Sequence, residues 1–138
     1  MKSFIKRFHP STPYERIRME ARFQRVSASL GLSPIVIRCN RNAIVMEHLQ
    51  TPCLADVYGD DIDELPEWIQ ESILDILYTL YCHGIEYVDV TPYNFIEKDG
   101  VVWVLDFGHA RQVGDEIESY LNELFVNWKL TKWNPDFL

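Results

Sequence analysis

Asp89 is followed five positions later by Asn94, and Asp106-Phe107-Gly108 stands at the end of the hairpin that comes next. Asp106, on a loop just after a strand, suits a bound divalent cation. The amide of Asn94 offers a second oxygen without adding negative charge. Asp89 is a carboxylate able to orient a hydroxyl group and take its proton. Gly108 lets the backbone turn sharply after Asp106. Aspartates also cap turns, but turn capping does not predict this linked spacing.

Over residues 83–110, HGIEYVDVTPYNFIEKDGVVWVLDFGHA, the chain resembles the catalytic and metal-binding loops of protein kinases, D-x-x-x-x-N and D-F-G. The resemblance implies an ATP-dependent phosphotransferase working with Mg²⁺. Asp106 and Asn94 are the implied metal ligands, and Asp89 the implied base for a hydroxyl-bearing acceptor, a protein in the first instance. Phosphoryl transfer asks a protein mainly to hold the γ-phosphate, the metal ions and the acceptor in line. Asp-Val-Thr-Pro-Tyr-Asn has Thr91 where many protein kinases carry Lys. It looks closer to the loop of the small atypical kinase in the KEOPS tRNA-modification complex. Small-molecule kinases of the aminoglycoside phosphotransferase type have similar loops. Tyr87 replaces the His of H-R-D, and its ring is expected beneath Phe107. Val88 replaces the Arg that often pairs with a phosphorylated activation loop, which argues against that switch.

Upstream, Ala43–Leu49 looks like the last strand of a kinase N-lobe running into the hinge. Met46 is then the residue guarding the back of the adenine pocket. The backbone from Glu47 to Leu49 hydrogen-bonds adenine, and Ile96 and Leu105 line the other wall. An ordinary core strand and connector is the plainer reading. Phe4–Phe8 and Glu20-Ala21-Arg22 resemble the same region of the small KEOPS kinase. They make Lys6 and Glu20 the implied Lys–Glu pair, with Lys2 and Glu15 as the alternative. Gln24 falls where that family usually has an apolar residue.

These residues need elements to hold them. Residues 2–8 read as a short strand. Thr12 is placed to cap a helix, Pro13 suits its first position, and Glu15 completes a capping box. Met19, Phe23, Val26 and Leu30 share one face of that helix, which Gly31 stops. Ile35–Arg38 and Ala43–Glu47 read as strands, and Leu54–Tyr58 as a helical turn. Acids and Pro66 open a second helix, with Ile69, Ile73, Ile76, Leu77 and Leu80 inward and Gly84 at its close. Ile85–Val88 is a short strand. Phe95-Ile96 and Val101–Leu105 form a hairpin around Lys98-Asp99-Gly100. A last helix runs from about Asp115 to Trp128, with Ile117, Tyr120, Leu121, Leu124 and Trp128 inward.

That order is α+β and, with the resemblance, a minimal two-lobed protein-kinase-like fold with a reduced N-lobe. The expected organisation is one domain over 1–138, with an N-lobe at 1–47, a hinge at 48–52 and a C-lobe at 53–138. No Gly-rich loop precedes the first strand. Only 30 residues follow Gly108, without A-P-E, so the last helix is expected to stand in for missing C-lobe support.

Composition sets outer bounds. No apolar run nears the ~18 residues of a membrane span, and no secretory signal opens the chain. A soluble, intracellular protein is expected, with no membrane partner. Three scattered cysteines and four histidines lack metal-ligand spacing. Net charge is −8, yet residues 1–42 carry nine Lys/Arg against two acids and the remainder four against nineteen. The acidic total argues against general nucleic-acid binding. A larger protein partner remains open, as do a non-catalytic, pseudokinase-type binding module and a small-molecule kinase.

Overall fold

A computed structural model describes all residues, 1–138. Strand β1 (Ser3–Arg7) leads into helix α1 (Tyr14–Ser29), then β2 (Val36–Cys39) and β3 (Ala43–Glu47). These strands form one antiparallel sheet in the order β1-β3-β2, with Lys6 opposite Ile44 and Met46 flanked by Phe4 and Val36. Next come α2 (Leu54–Tyr58), a short 3₁₀ turn (Ile62–Glu64), α3 (Glu67–Cys82) and β4 (Ile85–Glu86). The hairpin β5 (Phe95–Lys98) and β6 (Val101–Val104), then β7 (Arg111–Gln112) and α4 (Ser119–Asn127), complete the chain. Strands β2 and β6 lie in separate sheets, as a two-lobed fold requires.

The core is divided accordingly. Twenty-two buried side chains gather around α3, the β5–β6 hairpin and α4, against five between α1 and the three-stranded sheet. Phe23 of α1 belongs to the larger group, so α1 packs on both. Near Val104 the parts are tied by hydrogen bonds from its N–H to the Leu32 carbonyl (2.8 Å) and from Ser33 Oγ to its carbonyl (2.8 Å). No helix is long and apolar enough to cross a membrane.

Local chemistry explains most boundaries. All five apolar positions expected on α3 are buried. Asp99 and Gly100 both have positive φ, the conformation of a two-residue turn whose twist matches its strands. Four details differ from expectation. Pro13 is itself the N-cap of α1, without a side-chain cap, and Glu15 pairs with Arg18 instead of closing a capping box. The inward face of α1 is Ile17, Glu20, Ala21, Phe23, Gln24 and Ser27, while Met19 is 39% exposed. Polar residues hydrogen-bonded on the inner face turned the helix away from its most apolar stripe. β4 stops at Glu86 because it pairs with only two residues, Arg111 and Gln112. Helix α4 starts at Ser119 behind the Glu118 cap, and Trp128, in a left-handed conformation at its end, is 48% exposed.

Candidate active site

Lys6 projects from near the end of β1, where its register sets it opposite Ile44 of β3. Its Nζ stands 2.6 Å from Glu20 Oε2 on α1 and 3.0 Å from Asp106 Oδ1 after β6. Strand, helix and loop, distant in sequence, thus meet at one ammonium. Glu15 is engaged by Arg18, so the Lys2–Glu15 alternative is not formed.

Asp106 adopts φ 58°, sparsely populated for a residue with a side chain. The turn is held by Gly108 N–H, which donates to Asp106 Oδ1 at 3.0 Å. The left-handed backbone expected of Gly108 falls on Asp106 instead, and Gly108 is needed for space: a Cβ there would lie 3.1 Å from Asp106 Oδ1 and 3.2 Å from Glu20 Oε1. Arg16 Nη2 donates to the Gly108 carbonyl (3.2 Å) and braces the same turn from α1. Behind it, Phe107 is buried edge-on against Tyr87, with ring centroids 5.2 Å apart. The Tyr87 hydroxyl donates to the Leu105 carbonyl, so an aromatic in this place both packs under Phe107 and anchors the residue before Asp106.

The Asp89 loop is tied to this centre by Asn94. Its Nδ2 donates to the Asp89 carbonyl (2.9 Å), and its own carbonyl accepts from Leu105 N–H (2.8 Å). From the far end of the chain, Asn134 holds both carbonyls flanking Asp89. Its Nδ2 donates to Val88 (2.8 Å) and its N–H to Val90 (3.0 Å). Sequence reasoning missed Asn134, since nothing near Asn-Pro-Asp marks it beyond an ordinary turn. It also missed Lys98, whose Nζ donates to the Leu49 carbonyl at 2.8 Å.

A cleft of about 470 Å³ opens beside these groups. Met46, Glu47, Leu49, Ile96 and Leu105 line it, and so do Lys6, Glu20, Asn94 and Asp106. Asp89 is not part of its lining and joins the group through Asn94. Gln24, noticed in the sequence only as out of place, lines the cleft too.

The electrostatics follow from burial and from Lys6. Burial opposes the Lys6 charge, but the Glu20 hydrogen bond and the Asp106 and Glu20 charges outweigh it and raise its pKa above the ordinary lysine value. Burial likewise opposes ionised Asp106, yet Lys6 and the Gly108 amide hold its carboxyl below the usual range. Burial pushes Glu20 up, and Lys6 offsets only part of that. Asp89, also raised by burial, holds its proton more tightly than a free aspartate.

Comparison with known proteins finds a family and several relatives. The RIO domain family matches residues 16–122. A probable serine/threonine-protein kinase, the BUD32 homolog of Archaeoglobus fulgidus, is 26% identical over 135 residues, covering 91% of this chain and 66% of that protein. A probable bifunctional tRNA threonylcarbamoyladenosine biosynthesis protein of Methanospirillum hungatei is 30% identical over 102 residues, 73% of this chain and 18% of its own length. The dual specificity protein kinase Ttk of Danio rerio is 31% identical over 62 residues, 45% of this chain and 6% of its own length. The chain thus spans less than two thirds of each of these relatives. With a family match over most of its length, a two-lobed α+β architecture and a kinase-like pattern from Tyr87 to Gly108, this chain belongs to the RIO-domain family of atypical, protein-kinase-like proteins.

Proposed function

We propose that the chain is an ATP-dependent phosphotransferase, moving the γ-phosphate of Mg-ATP to a hydroxyl acceptor. The observation that carries this reading is the meeting of Lys6, Glu20 and Asp106 in one cleft with Asn94. Adenine would sit between Met46 and the Ile96–Leu105 wall, bonded to the backbone from Glu47 to Leu49. Residues 48–52 would be the hinge between lobes at 1–47 and 53–138. Lys6, held by Glu20, would contact the α- and β-phosphates.

The donor set fits a hard cation. Asp106 Oδ2 and Asn94 Oδ1 have no hydrogen-bond partner within the protein, and both residues line the cleft. Bound Mg²⁺ would neutralise charge on the phosphate oxygens. Asn94 keeps the Asp89 loop in register with that donor set. Asp89 would orient the acceptor hydroxyl and accept its proton, and burial brings its pKa closer to that task.

A protein hydroxyl is the favoured acceptor, with a small molecule as the alternative. The printed name of one relative, a probable serine/threonine-protein kinase, supports the protein acceptor, and the resemblance to the small KEOPS kinase supports a larger protein partner. A non-catalytic binding module is the second reading. It draws on the Lys6–Asp106 ion pair, which occupies one of the oxygens a metal would use. Transfer of γ-phosphate to protein and small hydroxyl acceptors, by wild type against Asp89→Asn, tests the proposal. Equal transfer by both would defeat it.

A further inference from the structure

Gln24 lies one turn beyond Glu20 on α1 and is only 2% exposed. Its Nε2 donates to the Pro34 carbonyl at 3.0 Å and approaches the Met46 sulfur at 3.4 Å. A carbonyl only accepts, so the amide orientation is set, with nitrogen toward Pro34. Oε1 therefore faces away, and no group in the protein donates to it. Oε1 is nonetheless not sealed in the core, unlike the indole nitrogen of Trp103, so a group entering the cleft can reach it and supply the missing donor. Gln24 lines the cleft together with Met46, Glu47 and Leu49.

We propose that Gln24 Oε1 is a specificity-determining acceptor that reads the amino edge of the nucleobase, directly or through one bound water. The inference rests on the nucleotide reading of the cleft. A 6-amino purine presents a donor to this oxygen. Guanine and hypoxanthine present a carbonyl there, setting acceptor against acceptor with neither satisfied. Sites that hydrogen-bond a ligand group reject analogues lacking it, because the buried partner is left unpaired. Simple core filling would be met by an apolar residue, such as Ile17 and Ala21 on the same face.

The test measures affinity for the Mg complexes of ATP, purine riboside triphosphate (which has no 6-substituent) and inosine triphosphate. Wild type, Gln24→Leu and Gln24→Met are compared, each with its ligand-free melting temperature. The preference for ATP over purine riboside triphosphate should shrink about three- to tenfold in the variants, the worth of one hydrogen bond. An unchanged preference in the folded variants overturns the role of Gln24 and leaves the nucleotide site standing. No wild-type binding of any of the three overturns both. Should neither variant fold, Gln24→Asn, which keeps the amide but draws its oxygen back from the cleft, takes their place with the same two outcomes: a reduced preference supports the proposal and an unchanged one overturns it.

Discussion

The Lys6 ammonium lies 3.0 Å from the Asp106 carboxylate, across a sequence separation of 100 residues. One bond therefore spans the sheet of the N-lobe and the loop after β6, and its partner Glu20 brings in α1. The position of α1, the strand register and the Asp106 turn are coupled through a single side chain.

Lys6→Met should consequently affect the fold as well as any nucleotide chemistry. It leaves Glu20, 6% exposed, without its counter-charge. Removing one partner of a buried pair is costly. With Lys6 28% exposed, we expect about 1–3 kcal/mol of lost stability, measured by urea denaturation. Glu20→Gln in the same background should recover part of the loss.

The pH dependence has a definite sign. The raised Lys6 pKa contributes stability that is fully present below the ordinary lysine value of 10.5 and is lost as pH rises through the higher folded value. The lowered Asp106 pKa contributes stability present above the ordinary aspartate value of 3.8 and lost as pH falls through the lower folded value. Denaturation midpoints across acid and alkaline pH should show Lys6→Met flattening the alkaline limb and Asp106→Asn the acid limb.

Gly108→Ala should act locally. The new methyl group would press on the carboxylates of Asp106 and Glu20 at 3.1 and 3.2 Å. Displacement of Asp106 would weaken Mg-ATP binding by about tenfold or more, read by titration, since metal ligands tolerate little misplacement. Binding at wild-type strength would show that the turn has slack.

Asn134→Ala removes the Nδ2 bond to the Val88 carbonyl and leaves a buried acceptor unmet. The expected cost is about 1–3 kcal/mol. If Asn134 positions the Asp89 loop, transfer should fall with little change in ATP affinity. A parallel loss of both would indicate collapse of the loop instead.

Much of this arrangement was legible because the residues obey short-range rules. The α3 stripe, the Asp99-Gly100 turn and the Asp89–Asn94 spacing are local patterns, and each element appears where its pattern lies. The α1 face was not legible. Glu20, Gln24 and Ser27 are buried because Lys6, Pro34 and Ser33 meet them in space, and no helical periodicity encodes those partners. β7 and Asn134 escaped for the same reason: two ladder positions and one side-chain amide exist only as long-range pairings. Lys6 and Glu20 were reachable only through family resemblance, since their separation fits no local motif.

Thermal unfolding with and without Mg-ATP, in wild type and Asp106→Asn, tests the central claim most directly. At ten times its dissociation constant, Mg-ATP should stabilise wild type by ~1.4 kcal/mol. For a domain of this length that raises the melting temperature by about 5 °C. The rise should need the divalent ion and should shrink in Asp106→Asn. An unchanged melting temperature for wild type at millimolar Mg-ATP would contradict a nucleotide site in this cleft.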